Sequence, residues 1–128
     1  MSQHLIKILI VDDNPSFVSN FSNLIKNVVG DKLESLDLAY SGEEGLAFLS
    51  SDTYDFIFVD IDMPGIGGIE MTRIFDKENY RKTTRIVAIS FHNEFEYYTQ
   101  MIMAGATNFL VKDEIDFNSL TKLFYKIQ

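Results

Sequence analysis

Short apolar runs alternating with amphipathic segments predict an α/β protein, an open parallel sheet with helices on both faces. Three observations carry the prediction. Residues 5–11, 33–40, 56–59, 86–89 and 109–111 are apolar runs rich in Ile, Val, Leu and Phe, as strands are. Four of these five runs are nearly continuous in hydrophobicity, the pattern of strands covered on both faces. Their ends fall roughly 20 to 30 residues apart, room for one strand and one crossover helix.

Taken in order, each segment has its own local signals. The first run stops at Asp12 and Asp13, after which Asn14 is placed to cap a helix with Pro15 in its first turn. Phe17, Phe21, Leu24, Ile25 and Val28 give that helix an apolar stripe, and Gly30 can end it. In the second run Leu36, Leu38 and Tyr40 alternate with Asp37 and Ala39, which predicts a half-exposed edge strand. Ser41 and Glu44 form a capping-box pattern ahead of Leu46, Phe48 and Leu49. A third helix is predicted over residues 68–78 from Ile69, Met71, Ile74 and Phe75, and a fourth between Asn93 and Gly105. In that fourth segment Phe95, Tyr98 and Ile102 have the spacing of a buried stripe, while Tyr97, Met101 and Ala104 trace a neighbouring one open to a partner if exposed. The last helix starts at Asp116 and carries Phe117, Leu120, Leu123, Phe124 and Ile127, with Lys122 and Lys126 on a solvated face.

The 128 residues are expected to form a single domain, 1–128. A net charge of -8 is the wrong sign for gripping nucleic acid or an anionic membrane through a basic surface, so direct contact with either is not expected. The absence of cysteine excludes disulfides, thiolate metal sites and a cysteine nucleophile. The first apolar run, broken by Lys7, is too short for a signal peptide core or a membrane span, and a cytoplasmic location is expected.

In an open parallel sheet, ligands bind beyond the carboxyl ends of the strands. The residues just after the runs are Asp12 and Asp13, Asp60, Ser90 and Lys112. Carboxylates gathered at about 4 Å repel by ~1 kcal/mol in water and by several more when partly buried. Lys112 offers one compensating charge, and a hard divalent cation, Mg2+, is expected to offer the rest. A carboxylate beside such charges can attack phosphorus, and Ser90 can hydrogen-bond the product. Spacing and charge thus point to an aspartyl-phosphate site.

Ile10-Val11-Asp12-Asp13, Val59-Asp60-Ile61-Asp62-Met63-Pro64-Gly65, Ile89-Ser90 and residues 105–112, Gly-Ala-Thr-Asn-Phe-Leu-Val-Lys, carry a further signal. In order and spacing they resemble the receiver domain of two-component response regulators, a likeness that runs from Ile6 to the final helix. The resemblance implies a flavodoxin-like sheet of order 2-1-3-4-5. It implies Asp60 as phosphoacceptor, taking its phosphoryl group from a sensor histidine kinase or a phosphotransfer protein. Asp12 and Asp13 would hold Mg2+ with Asp60 and the backbone carbonyl of Asp62. Lys112 would pair with the phosphoryl oxygens, and Ser90 and Phe109 would be the switch residues. The signal would reach a downstream target or output domain through the face of the fourth helix, fifth strand and fifth helix, a face also used for phosphorylation-dependent homodimerisation.

Several positions depart from the family pattern. Phe109 replaces the commoner Tyr, so coupling must act through packing. Phe91, where the family usually has a small residue, is expected to narrow access to Asp60. Asp62 and His92 stand at variable positions that in the family influence phosphoryl lifetime; for His92 an exposed loop histidine is an equal reading. Lys112 is followed by Asp113 in place of Pro, so a cis peptide is not expected there, and Lys-Asp resembles receivers joined to helix-turn-helix outputs in transcriptional regulators. Gly67 is a weaker helix cap than the usual Asp.

Two other readings stay open. Residues 56–62 also resemble the Asp-x-Asp strand of haloacid-dehalogenase-type phosphatases, although there that motif usually comes first. A receiver-like module that signals by contact alone would share the fold. A phosphate-binding loop for flavin is lacking, since Asp12 and Asp13 would repel the cofactor phosphate.

Overall fold

The computed structural model describes residues 4–79, 83–92 and 94–125. Its strands are β1 (Ile6–Val11), β2 (Leu33–Ala39), β3 (Phe56–Asp60), β4 (Arg85–Ser90) and β5 (Asn108–Val111). The helices are α1 (Pro15–Val29), α2 (Gly42–Ser51), α3 (Gly68–Asp76), α4 (Phe95–Ala104) and α5 (Phe117–Tyr125). All neighbouring strands pair in parallel, in the order β2-β1-β3-β4-β5. The chain therefore reverses its direction of winding between β1 and β3, and a crevice opens there at the carboxyl ends of the strands.

Local chemistry sets the helix boundaries. Asn14 Oδ1 accepts the amide of Phe17 at 3.1 Å, Pro15 occupies the first turn, and Gly30, at φ 60°, ends α1. Ser41 Oγ accepts from the amide of Glu44 at 3.0 Å. The Glu44 carboxylate reaches back one residue further than a standard capping box, to the amide of Tyr40 at 2.8 Å. Asp116 and Ser119 cap α5 reciprocally, each side chain accepting the other's amide. Gly67 caps α3 without a side-chain bond, as its composition requires. Asn93, read from the sequence as the start of α4, lies outside the described residues, as do Lys126 and Ile127; the extended residue before α4 is Glu94.

Alternation along the strands divides the core in two. Ile8 and Ile10 of β1, Phe56 and Phe58 of β3 and Val87 and Ile89 of β4 pack against Val18, Phe21 and Ile25 of α1 and Leu120 of α5. Leu9, Val11, Ile57, Val59, Ile86 and Ala88 face the other way, against Met71 of α3 and Met101 of α4. The central strands are buried on both sides, whereas β2 at one edge and β5 at the other are half-buried. β5 thus departs from its continuous apolar pattern, because only one neighbour covers it.

The stripes of α4 are reversed relative to the sequence reading. Met101 and Ala104 are buried, and Tyr97 is half-buried, while Phe95, Tyr98 and Ile102 face outward with Met103. Both stripes have helical spacing, and only the docking of Met101 onto the sheet decides between them.

Phe58 is fully buried, edge-to-face with Phe21 at 5.0 Å and 6.0 Å from Phe124. Phe58→Ala opens a cavity that both helices would have to fill, and is predicted to cost about 3–5 kcal/mol in urea unfolding. A loss below about 1 kcal/mol would contradict this packing.

Candidate functional site

Register places the polar residues side by side before any side chain is considered. Val11 pairs with Val59, Asp60 with Ile89, and Ser90 with Val111. Asp12 and Asp60, each one residue further along, are therefore level on adjacent strands at the reversal of winding. Ser90 and Lys112 come one step later on β4 and after β5. The four positions converge on one rim because each stands at the carboxyl end of a strand of the same parallel sheet.

Asp12 is fully buried and Asp60 nearly so, whereas Asp13 is exposed. Carboxylate oxygens of the three lie within 4.8 Å of one another. The Lys112 side chain, only 5% exposed, puts its Nζ 2.7 Å from Asp12 Oδ2 and 3.7 Å from Asp60 Oδ1. The approach to Asp12 is an ion pair without hydrogen-bond alignment, so Oδ2 keeps accepting capacity. Asp12 Oδ1 accepts the amide of Asn14 at 2.9 Å, and Asp60 Oδ1 receives a long bond of 3.4 Å from the amide of Asp62.

One ammonium among three carboxylates leaves excess negative charge. Burial first, and the Asp12 carboxylate second, push the Asp60 carboxyl up to about 7, against the opposing pull of Lys112 and of the Asp62 amide. The donors are all oxygen, one of them buried and under-satisfied, a set that fits a hard cation such as Mg2+ and offers nothing to a soft one.

Ser90 is buried, and its Oγ accepts the amide of His92 at 2.9 Å, which leaves the hydroxyl proton free to be donated elsewhere. His92 itself bridges the loops that follow β3 and β4. Its Nε2 is 2.9 Å from Asp62 Oδ2, its Nδ1 is 3.4 Å from Glu94 Oε1, and its ring stacks on Tyr97 at 4.4 Å. The histidine is thus engaged across two loops, beyond the plain exposed residue that the sequence allowed. The loop after β3 is tied from below, where Glu43 Oε2 accepts the amide of Ile66 at 3.3 Å beside Gly65 at φ 74°.

Phe91 stands 58% exposed with its ring centroid 5.1 Å from Lys112 Nζ, so it covers the lysine side of the opening. Phe109 lies beside Ala88 on β4, half-buried, with Tyr98 at 5.8 Å. The peptide after Lys112 is trans and opens a 3-10 turn over Lys112–Glu114. One residue at the rim was absent from the sequence-derived set: the Phe17 ring lies 4.4 Å from Lys112 Nζ. Its helical spacing marked it only as core.

A surface cavity of about 740 Å³ lies at the opposite end of the sheet, between His4, Lys7, Tyr54 and Asp55. It is open and gathers none of the rim residues. Among the described residues no helix is long and apolar enough to cross a membrane.

The family described as the response regulator receiver domain matches residues 8–124. The response regulator GacA of Pseudomonas syringae pv. syringae is 31% identical over 108 residues, covering 84% of this chain and 49% of that protein. The response regulator UvrY of Escherichia coli K12 is 27% identical over the same length, covering 84% and 48%. The chain spans about half the length of these relatives. Among solved structures, the Vibrio cholerae chemotaxis protein CheY4 aligns with a TM-score of 0.82 at 26% identity, covering 97% of this chain and 99% of that one. The receiver domain of the Arabidopsis thaliana histidine kinase CKI1, solved with Mg2+ and BeF3-, aligns with a TM-score of 0.76 at 27% identity, covering 93% and 87%.

A carboxyl whose folded pKa lies above its unfolded value binds its proton more tightly when folded. Stability therefore falls as pH rises from the unfolded value of 3.8 to the folded value of about 7, and stays reduced above it. Asp60→Asn removes this loss. Without Mg2+ the variant is predicted to match the parent near pH 4 and to exceed it by about 1–3 kcal/mol at pH 8 in denaturant unfolding, allowing for solvent screening. Equal stability at pH 8 would contradict the strained acid cluster.

Proposed function

The chain belongs to the response regulator receiver domain family of two-component signalling, and from that membership we propose that it is a phosphorylation-controlled switch with Asp60 as the acceptor. The observation that carries the reading is a buried ammonium 2.7 Å from one carboxylate and 3.7 Å from a second whose ionisation the site itself disfavours.

The chemistry follows from these residues. A carboxylate oxygen of Asp60 attacks phosphorus in a phosphohistidine of a sensor kinase or phosphotransfer protein; the P–N bond breaks, its electron pair stays on the ring nitrogen, and the imidazole, already protonated on its other nitrogen, leaves as the neutral base. Asp12, Asp13, Asp60 and the backbone carbonyl of Asp62 are the groups to hold Mg2+, which when bound neutralises charge on the carboxylates and on the incoming phosphoryl oxygens. Lys112 lies close enough to exchange part of its contact with Asp12 for a phosphoryl oxygen. Ser90 donates its free proton to another. The domain acts on itself and is a signalling module rather than an enzyme with a turned-over substrate.

Movement of Ser90 toward the phosphoryl group pulls on β4 next to Phe109. Ala88, the small residue opposite Phe109, is the neighbour past which the ring would turn inward. Phe109 has no hydroxyl, so its displacement is read through packing against Tyr98 on α4. Phe95, Tyr98, Ile102 and Met103 expose apolar surface there, a face suited to a target, an output domain or a second phosphorylated copy. Asp62 and His92, joined across the opening, are placed to limit water at the phosphoryl group. Lys112-Asp113, the pair that resembles receivers joined to helix-turn-helix outputs, supports an output that acts in transcription. The surroundings proposed are cytoplasmic.

With Mg2+ and acetyl phosphate, or with a phosphorylated kinase, intact mass is expected to increase by one phosphoryl group, and Asp60→Asn to abolish the gain. Persistence of the gain in that variant would overturn the assignment. Phe91→Ala is expected to label faster with acetyl phosphate, since the exposed ring narrows the opening beside Lys112; an unchanged rate would remove Phe91 from the account of access.

A further inference from the structure

Lysine normally carries its ammonium into water on a flexible stem. Lys112 does the reverse, with a side chain 5% exposed whose Nζ has Asp12 at 2.7 Å, the Phe17 ring at 4.4 Å and the Phe91 ring at 5.1 Å. Both ring distances fall within the reach of about 6 Å at which an aromatic face attracts a cation. The two rings differ in mounting. Phe91 is on a loop and mostly exposed, whereas Phe17 sits in the first turn of α1, stacked on Phe21 at 5.2 Å, which in turn meets the buried Phe58.

Asn14 strengthens this mounting. Its amide donates to Asp12 Oδ1 at 2.9 Å, while its side chain accepts from the amide of Phe17 at 3.1 Å. One residue thus fixes both the Asp12 carboxylate and the backbone that carries the Phe17 ring. A further neighbour of Nζ is Asp60, at 3.7 Å.

We propose that Phe17 is a positioning residue for the chemistry at Asp60: its ring is a rigid platform that replaces water around the Lys112 ammonium and holds it against Asp12, within reach of a phosphoryl oxygen, while Phe91 closes the outer side. The role rests on the phosphoacceptor reading. It adds a residue that touches neither metal nor phosphoryl group and acts through Lys112.

The test compares Phe17→Leu, which keeps apolar bulk but loses the ring, with Phe17→Tyr, which keeps the ring. Urea midpoints are recorded to establish that each variant folds. In metal-free protein labelled with 13C-lysine, the Lys112 Hε and Cε resonances are expected to show ring-current displacement, reduced in F17L to what the Phe91 ring supplies and kept in F17Y. In Mg2+, beryllofluoride affinity is expected to fall about two- to tenfold in F17L and to be restored in F17Y, the range expected for a partly desolvated cation and ring. If F17L keeps the parent Lys112 resonances, or if both variants bind beryllofluoride alike, the role of Phe17 is overturned alone. If the unsubstituted protein takes no beryllofluoride, the phosphoacceptor reading falls, and this role falls with it.

Discussion

The ion pair between Lys112 and Asp12 is the contact on which the rim of the sheet depends. Asp12 has no access to solvent, and Asp60 has very little. Two such carboxylates at about 4 Å would repel by ~4 kcal/mol at the dielectric of a protein surface, several times the value in water. A single ammonium placed 2.7 Å from one and 3.7 Å from the other attracts both and offsets this repulsion. Burial first, and the Asp12 carboxylate second, still raise the pKa of Asp60 against that pull. The site is therefore held together, yet it is left with charge that a hard cation relieves.

Placing Lys112 in that position requires the whole fold. β5 must lie at the edge beside β4 for the lysine that follows it to reach across β3 to the acid after β1. The reversal of winding between β1 and β3 brings Asp12 and Asp60 level, and in-register pairing of Val11 with Val59 makes their separation short. Gly68 allows α3 to begin directly against this rim, since a Cβ there would fall 2.1 Å from the backbone oxygen of Asp60. Larger residues at that position would push the helix from the acceptor.

Much of this was legible in the sequence because the signals are local. The polar residues that follow the apolar runs, the caps at Asn14 and Ser41, and the half-exposed edge character of β2 depend on neighbours within a turn or a strand. The features that were not legible depend on contacts between distant segments. Phe17 has the spacing of a core residue, and periodicity gives the face of a helix without its height along the axis; only the register of α1 against Lys112 places its ring at the rim. The two stripes of α4 are equally apolar, so the choice of Met101 over Tyr98 as the buried one came from docking onto the sheet. The bridge from His92 to Asp62 joins two loops whose separation in sequence carries no signal.

The central claim is that burial and the Asp12 carboxylate, incompletely offset by Lys112, keep the Asp60 carboxyl poised until a cation binds. A 13C carboxyl titration of aspartate-labelled protein tests it most directly. The account predicts that, without metal, Asp60 titrates near 7, and that Mg2+ displaces its midpoint to lower pH. A metal-free midpoint at the ordinary aspartate value of 3.8, or one unmoved by Mg2+, would contradict it.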